Sequence, residues 1–340
     1  MKTIKFQMKR QTELYLFAIV VVLSLFLTAV NPRFLTLENL FDLLRNNSFL
    51  GIVALGELVV LISGGIDVSF TATATVAQYI MGVIISRTMV NSVLLAFLIP
   101  IPIGIALGAI NGCLVYYTRV NPVIITISTL NFYYGVLMFV TRGTWIYKFP
   151  PAFREFAKLK VFTLSSPKGV PFGFSIFTLF WIILGVVTFL LLRYLPMGRK
   201  IYAVGGNLEA ARRAGFNIFR IQLFVYCYIG LLAGLAGFVH AELNQMIQPN
   251  AIVGMELDVI AAAILGGASV FGGVGSVGGT FLGVLLIAII KNGLILMKAS
   301  AYWHEVIMGS LIVLAASISA YQRKLQMRRE KGRFAEEQLF

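Results

Sequence analysis

The chain has 340 residues, of which 59% are hydrophobic and 12% are charged, and its mean hydropathy is +0.88. These values exclude a soluble globular domain, which needs far more polar surface. The formal net charge of +14 would suit a nucleic-acid-binding protein. However, the basic residues cluster in the tails and at the ends of apolar runs, so we expect no nucleic-acid partner. The composition therefore predicts an all-α polytopic membrane protein.

Long apolar runs predict the membrane-spanning helices. The first run, residues 14–30, follows several basic residues but no small-residue cleavage site clearly follows it, so we interpret it as a retained span and not a signal peptide. We expect about ten spans, each long enough for the hydrocarbon layer or broken within it. They are placed at residues 14–30, 49–64, 70–86, 92–117, 123–141, 174–194, 217–240, 257–267, 277–297 and 303–320.

Clusters of Lys and Arg predict the orientation, because cytoplasmic segments carry the excess of basic residues. We expect a cytoplasmic N-terminal tail at residues 1–13, a transmembrane domain at 14–320 and a cytoplasmic C-terminal tail at 321–340. Within the domain, residues 195–216 form a cytoplasmic loop. Residues 142–173 are then the longest exterior loop, and their six basic residues depart from the charge rule, which long translocated loops partly escape.

A short amphipathic helix is predicted between the first two spans. Thr36 is a suitable N-cap, and Leu40, Phe41 and Leu44 share one face of the helix that would follow. Such a helix on the outer side would lie along the membrane interface.

Two similar glycine-rich segments interrupt the apolar runs. The first is LISGGID at residues 61–67, and the second is AILGGAS at 263–269, which continues into VFGGVGSVGG at 270–279. Dense glycine frees the backbone but leaves peptide groups that protein or water must satisfy. Plain helix packing through small residues is one interpretation. Because broken segments at matching positions of two pseudo-repeated halves indicate a translocation pathway, we assign Gly266 and Gly267 to it.

Acidic side chains within the predicted spans need an explanation, because each costs about 2.5–3.5 kcal/mol at mid-membrane on insertion scales. Glu57 lies near the middle of the second predicted span, and Asp67 directly follows the first glycine-rich segment. Either could line a polar cavity, pair with a basic group or cap a half-helix. For Asp67, capping the helix that begins with Val68 and Ser69 is the simpler interpretation. We assign Glu57, Asp67 and Ser69 to the predicted pathway.

Uncharged polar and aromatic side chains supply further candidates. Asn131 and Phe132 begin the sequence NFYY in the fifth predicted span, and Asn111 lies in the fourth. Amides and aromatic faces suit a neutral polyhydroxylated solute, although an interfacial aromatic belt would also account for the aromatic residues. Asn111, Asn131 and Phe132 are therefore predicted to lie along the pathway.

The polar segment GRKIYAVGGNLEAARRAG at residues 198–215 predicts a two-turn helix. Asn207 is a good N-cap, Glu209 lies in the first turn, Arg212 lies in the last, and Gly215 stands where a helix usually ends.

One face of this predicted helix consists of small residues. Ala210, Ala211 and Ala214 recur at three- and four-residue spacing, so a partner surface could approach closely. The segment is either an ordinary cytoplasmic connector or a rigid peg that fits a soluble protein and transmits its motion into the membrane.

The sequence lacks the motifs of nucleotide hydrolysis and common catalysis. It contains no GxxxxGK[ST] phosphate loop, no HExxH and no serine elbow. Cys113 and Cys227 lie within apolar runs, where they are expected to be small apolar fillers, and no metal-ligand spacing is present. We expect this chain to be no enzyme and to bind no cofactor. If ATP drives transport, the nucleotide must bind another chain.

Four motifs strongly resemble the permease subunits of bacterial ABC importers for monosaccharides, of the ribose, xylose, arabinose and galactose type. The resemblance covers nearly the whole chain in order. The motifs are SGGIDVS at 63–69, VNPVIITISTL at 120–130, AVGGNLEAARRAGFNI at 203–218 and ELDVIAAAILGGASVFGGVGSVGGTFLG at 256–283.

The resemblance implies a multi-pass protein of the bacterial inner membrane with both termini in the cytoplasm. It implies four kinds of partner: a periplasmic sugar-binding protein, a cytoplasmic ATPase that holds Mg-ATP, a second permease chain that is identical or paired, and membrane lipids. It also implies that the predicted two-turn helix docks on the ATPase. The residues that would carry this coupling are Gly205, Asn207, Glu209, Ala210, Ala211, Arg212 and Gly215.

Three departures from the family pattern leave the solute open. Glu57 stands where such permeases more usually have an apolar residue, Phe70 where glycine is common, and Ala268 where threonine is frequent. A neutral sugar is favoured, but a polyol, an amino sugar or the furanosyl signal molecule carried by a related subgroup remains open. An ion-gradient-driven secondary transporter that uses Glu57 or Asp67 is the alternative function. An intramembrane enzyme is disfavoured because no catalytic groups cluster in the sequence.

Overall fold

A computed structural model describes residues 2–165, 169, 171–300, 302–314 and 317. In these ranges the chain is mostly helical, with one antiparallel hairpin. The elements are α1 (Lys2–Val30), α2 (Leu37–Asn46), α3 (Ser48–Ser63), α4 (Phe70–Thr88), α5 (Val93–Leu98), α6 (Pro100–Thr118), α7 (Pro122–Thr141), α8 (Pro151–Phe156), β1 (Lys160–Ser165), β2 (Pro171–Ser175), α9 (Ile176–Arg193), α10 (Pro196–Gly206), α11 (Leu208–Arg213), α12 (Ile218–Asn244), α13 (Glu256–Leu265), α14 (Val277–Leu296) and α15 (Tyr302–Leu314).

Six stretches of the described chain are long and apolar enough to cross a membrane, and the pair α2 and α3, bent by 51°, would make a seventh. The six belong to α1, α5 with α6, α7, α9, α12 and α14. The expected number of about ten is therefore not confirmed. One reason is that α4 buries polar side chains such as Thr71, Thr73 and Gln78, which lower its hydropathy. Another is that α13 has 10 residues, which rise by only about 15 Å.

Helix α3 is the centre of the molecule. Every residue from Ser48 to Ile62 is buried, and the helix is surrounded by α9, α10, α12, α13 and α14. A helix that is apolar on all sides is expected at such a place. Its single acidic residue, Glu57, is consequently enclosed by protein and not by lipid.

The most extensive helix contact joins α6 and α12 through glycines that the sequence analysis did not single out. A Cβ added to Gly104 would lie 2.1 Å from the carbonyl oxygen of Gly230, and one added to Gly108 would lie 2.2 Å from that of Tyr226. The two backbones therefore touch directly. Small residues commonly allow this approach between membrane helices, where dispersion contacts and not the hydrophobic effect drive association.

The segment expected as an exterior loop at residues 142–173 contains regular structure. It includes α8, β1 and the start of β2, and the strands pair with Phe162 opposite Phe174. The rings of these two residues lie 5.7 Å and 5.9 Å from the ring of Phe41 in α2. The predicted amphipathic helix after Thr36 is confirmed as α2, and the Thr36 hydroxyl accepts a hydrogen bond from the backbone N–H of Asn39 at 3.3 Å. Its Phe41, however, packs against the hairpin.

The two expected tails have different outcomes. Helix α1 begins at Lys2, so the expected N-terminal tail at residues 1–13 is helical wherever it is described. The expected C-terminal tail at 321–340 lies outside the described residues. Of the last predicted span, 303–320, residues 303–314 and 317 are described.

Candidate functional site

A buried polar cluster lies where the chain passes from α3 to α4. Helix α3 ends at Ser63 and is followed by Gly64, whose φ of +91° is a left-handed conformation that glycine adopts without strain. The chain then turns back, and the backbone N–H of Asp67 donates to Glu57 Oε1 at 3.4 Å. Glu57 is 0% exposed and Asp67 is 2% exposed. Two carboxyl groups are thereby brought together inside the protein.

The Asp67 carboxylate fixes the start of α4. Its Oδ1 accepts hydrogen bonds from the Ser69 backbone N–H at 2.7 Å and from the Ser69 hydroxyl at 2.6 Å. Asp67 does not cap a helix that begins with Val68 and Ser69 as predicted, because α4 begins at Phe70 and its N-cap is Ser69; Asp67 instead holds this N-cap residue by its backbone and its side chain. A carboxylate in this position satisfies a backbone amide that the first turn of a helix leaves free.

Hydrogen bonds extend the cluster into α6 and α7. Asn111 Nδ2 donates to the Ser69 hydroxyl oxygen at 2.6 Å, and the Tyr133 hydroxyl donates to Asn111 Oδ1 at 3.2 Å. Asp67, Ser69, Asn111 and Tyr133 therefore form one continuous chain of hydrogen bonds. The structure thus brings together four residues predicted for the pathway: Glu57, Asp67, Ser69 and Asn111.

The cluster has unused hydrogen-bonding capacity. Glu57 Oε2 and the Tyr226 hydroxyl are buried and have no hydrogen-bond partner among the described residues. The Tyr226 hydroxyl faces Gly65, where an added Cβ would lie 3.1 Å from it. No basic side chain in the described chain pairs with Glu57 or Asp67. Because buried polar atoms are rarely left unpaired, the cluster can accept hydrogen bonds from hydroxyl groups or water.

Asn131 and Phe132, which are also predicted for the pathway, do not join this cluster, and their place along a pathway stays a prediction. Both are exposed, Phe132 by 66%, and the Asn131 amide donates to the Ile127 carbonyl of its own helix at 2.9 Å. Neighbouring positions on a helix point in directions about 100° apart, so only some residues of NFYY can face inward. Tyr133 is the one that does, and its spacing from the buried Thr126 and Thr129 is the signal that could have found it.

Gly266 and Gly267 lie apart from the polar cluster and serve close packing. A Cβ on Gly266 would lie 2.4 Å from the carbonyl oxygen of Gly279, so the segment after α13 packs directly on the start of α14. Gly267 has a φ of +89°, which favours glycine. The helix-packing interpretation of these glycines is therefore supported, and their place in a pathway stays a prediction.

The predicted two-turn helix at residues 207–214 is confirmed as α11. Asn207 Oδ1 accepts a hydrogen bond from the Ala210 backbone N–H at 2.9 Å, and Gly215, with a φ of +79°, follows the helix. The Gly215 N–H donates to the Arg212 carbonyl at 3.0 Å. Both ends of the helix are thus fixed by the residues that the sequence indicated.

The small-residue face of α11 does not point outward as one surface. Ala210 and Ala214 are exposed, but Ala211 is 4% exposed and faces its own chain. Glu209 and Arg213 are exposed, and Glu209 Oε1 lies 3.7 Å from Arg213 Nη2. A solvated ion pair of this kind contributes little to stability. The exposed residues of α11 are therefore Leu208, Glu209, Ala210, Arg212 and Arg213, without Ala211.

Gly205 also faces the chain and not the outside. It lies in the last turn of α10, and a Cβ added to it would lie 1.8 Å from the Ile62 carbonyl oxygen. In the same helix, the Tyr202 hydroxyl donates to the Gly275 carbonyl at 2.8 Å. Burial raises the pKa of Tyr202 to about 12, so this hydroxyl keeps its proton at physiological pH.

A second group of charged residues links α13, α14 and α15. Asp258 Oδ2 lies 2.5 Å from Lys291 Nζ, and Asp258 Oδ1 lies 3.3 Å from His304 Nε2. The sequence analysis missed Lys291, which lies in an apolar helix and whose partner is distant in sequence. Among the described residues no group of three or more His, Cys, Asp or Glu side chains is placed to hold a metal ion.

Comparison with known proteins gives a consistent result. The sequence model of the family described as "Branched-chain amino acid transport system / permease component" matches residues 39–316. The chain is 35% identical over 311 residues to the ribose import permease protein RbsC of Escherichia coli strain K12, covering 89% of this chain and 92% of that protein.

Two further relatives carry other solutes in their names. The autoinducer 2 import system permease protein LsrC of Enterobacter sp. strain 638 is 31% identical over 322 residues, covering 92% of this chain and 90% of that protein. The D-allose transport system permease protein AlsC of Escherichia coli strain K12 is 31% identical over 305 residues, covering 89% of each. No solved structure matches the chain.

Proposed function

Because the chain belongs to the family of transport-system permease components, we propose that it forms the translocation pathway of an ATP-driven importer for a sugar or sugar-like solute. The observation that carries this proposal is similarity along nearly the whole chain to permeases named for ribose, autoinducer 2 and D-allose. The described chain is that of a multi-pass helical membrane protein, as this role requires. The resemblance seen in the sequence motifs is thereby confirmed.

The proposed solute is neutral and rich in hydroxyl groups. The family description names branched-chain amino acids, whereas the three relatives compared above are named for ribose, a signal molecule and allose. The buried cluster favours the second group, because its free capacity consists of a carboxyl oxygen and a phenol hydroxyl. An amino acid would also bring a carboxylate, and no basic side chain of the described chain accompanies Glu57 and Asp67 to receive one.

The proposed orientation places α11 in the cytoplasm and the β-hairpin outside. One apolar helix long enough to span, α9, runs from the end of β2 at Ser175 to the start of α10 at Pro196, so these elements belong to opposite sides of the membrane. We also propose that both termini face the cytoplasm of a bacterial inner membrane, as the basic residues near each end of the sequence indicate. A cytoplasmic ATPase holding Mg-ATP docks on α11, and a periplasmic sugar-binding protein docks on the side of the hairpin.

The complete membrane domain is proposed to contain about ten crossing or half-crossing segments. Helix α4 is excluded from the apolar spans by polar residues, but these residues are buried within the protein and not presented to lipid. Helices α13 and α15 are short; α13 packs on α14, and His304 of α15 contacts Asp258 of α13. A second permease chain, identical or paired, would complete the pathway.

Reconstitution in liposomes tests this function. The chain is incorporated alone, with its ATPase, and with both the ATPase and the sugar-binding protein, and uptake of radiolabelled D-ribose or D-allose is measured. We expect uptake only with both partners and ATP. Uptake by the chain alone, driven by a proton or sodium gradient, would overturn the proposal and establish the secondary transporter that uses Glu57 or Asp67.

A further inference from the structure

We propose that Tyr202 and Gly205 of α10 are the positioning residues through which movement of α11 reaches both glycine-rich segments. This inference rests on the proposed function, in which α11 docks on an ATPase. The contact involved is a backbone junction of four residues, which we call the glycine junction: Gly64, Gly205, Gly272 and Gly273.

The glycine junction joins α10 to the end of α3, where the first glycine-rich segment lies. A Cβ on Gly205 would lie 1.8 Å from the Ile62 carbonyl oxygen, which is far shorter than any contact between non-bonded heavy atoms. Ile62 lies in the last turn of α3, directly before the segment that leads to Asp67. Movement of α10 therefore acts on a peptide group close to the buried polar cluster.

The segment between α13 and α14, which belongs to the second glycine-rich segment, contacts α10 and the end of α3 at the same junction. The Gly273 N–H donates to the Ile62 carbonyl at 2.9 Å, so one peptide oxygen contacts both α10 and this segment. A Cβ on Gly272 would lie 2.5 Å from the Gly205 carbonyl oxygen and 2.8 Å from the Gly64 Cα. The hydrogen bond from the Tyr202 hydroxyl to the Gly275 carbonyl adds a second attachment two residues further on.

The connection from α11 to the junction is short. Helix α10 ends at Gly206 and α11 begins at Leu208, so Asn207 alone separates them and is hydrogen-bonded to both. At the junction backbone meets backbone, and no side chain is present that could absorb a displacement by changing its rotamer. Because tightly packed contacts transmit displacement, a shift of α11 must move the two glycine-rich segments together.

The neighbouring glycine provides a matched control. Gly206 follows Gly205 in the same helix and is exposed, and a Cβ added there meets no atom within 4 Å. Gly205→Ala and Gly206→Ala thus make the same chemical change to α10 and differ in whether the junction is displaced. Tyr202→Phe keeps the aromatic ring and removes the hydrogen bond to Gly275.

The experiment uses the complete transporter, with ATPase and sugar-binding protein, in liposomes. We measure uptake of D-ribose or D-allose, ATP hydrolysis, and stimulation of hydrolysis by the binding protein. For Gly205→Ala we expect normal assembly with the ATPase but about a tenfold lower ratio of uptake to hydrolysis, with loss of the stimulation, because the displaced junction no longer links α11 to the two glycine-rich segments. For Tyr202→Phe we expect a smaller decrease in the ratio of uptake to hydrolysis and in the stimulation. For Gly206→Ala we expect the ratio and the stimulation of the unmodified protein.

Other results would contradict the role of these residues. If Gly205→Ala lowers the amount of folded complex, the less disruptive Tyr202→Phe variant provides the test. An unchanged ratio of uptake to ATP hydrolysis, with unchanged stimulation by the binding protein, would then overturn the proposal. Equal losses in Gly206→Ala and Gly205→Ala also overturn it. Absence of ATP-driven uptake by the unmodified complex would instead overturn the proposed function, independently of any variant.

Discussion

Asn111 Nδ2 lies 2.6 Å from the hydroxyl oxygen of Ser69, so the middle of α6 is hydrogen-bonded to the residue that precedes α4. The same amide accepts a hydrogen bond from Tyr133 in α7. Three helices that are separate in sequence are thus held by one buried side chain. This places Asn111 among the residues whose removal is most informative.

Asn111→Ala should destabilise the folded protein by about 1–3 kcal/mol, because it removes two buried hydrogen bonds, while the Ser69 hydroxyl keeps its bond to Asp67 and the Tyr133 hydroxyl keeps its bond to the Leu107 carbonyl. Asn131→Ala is the matched control, since Asn131 is exposed and bonds only within its own helix. Thermal unfolding in detergent compares the two. Similar melting temperatures for both variants would contradict the described hydrogen-bond chain.

Glu57→Gln should leave the fold intact and lower solute uptake. The amide oxygen of glutamine can still accept the hydrogen bond from the Asp67 N–H, so the change in stability should stay within about 1 kcal/mol. The carboxylate itself would be lost from the predicted pathway. Uptake by the reconstituted transporter is measured beside thermal unfolding, and unchanged uptake would assign Glu57 to packing.

Gly108→Val should weaken the contact between α6 and α12. The new side chain would collide with the Tyr226 carbonyl, and overpacking typically costs about 1–3 kcal/mol. Gly135→Val in α7 makes the same change where an added Cβ meets no atom within 4 Å. The yield of folded protein after detergent extraction should fall for the first variant and not for the second. Equal yields would show that the α6 and α12 backbones are not in direct contact.

Gly215→Val should impair binding of the ATPase while the membrane domain stays folded. Valine in the left-handed conformation costs about 1–2 kcal/mol, and this cost falls on the end of α11. Gly215→Asn is the control, because asparagine tolerates that conformation better. A pull-down of the ATPase with purified permease should show weaker binding for valine than for asparagine. Undiminished binding of the valine variant would count against α11 as the docking helix.

Local signals predicted the short helices well. The N-caps at Thr36 and Asn207 and the left-handed glycine at Gly215 each act within a few residues, so the sequence could specify them without knowledge of the fold. The number of spans was harder to predict. Polar residues such as Gln78 are buried by neighbouring helices, and hydropathy alone does not show this.

The candidate site was predicted in part. Glu57, Asp67 and Asn111 could be identified from the sequence, because a polar side chain within an apolar run is costly to place in the membrane. Which side of α7 faces inward depends on packing, and therefore the sequence NFYY was recognised but Asn131 and Phe132 were assigned to the pathway in place of Tyr133. The contacts of Gly205 with Ile62 and Gly273 join segments far apart in the chain, and no local pattern specifies them.

The complete enclosure of α3 has a consequence for biosynthesis. The ribosome delivers α3 to the membrane before it has made α9, α10, α12, α13 and α14, the helices that finally surround it. Until they arrive, Glu57 has to be accommodated by lipid, by water or by the insertion machinery. Nascent chains interrupted before α12 should therefore be retained by that machinery or degraded, and late helices here act as assembly partners for an early one.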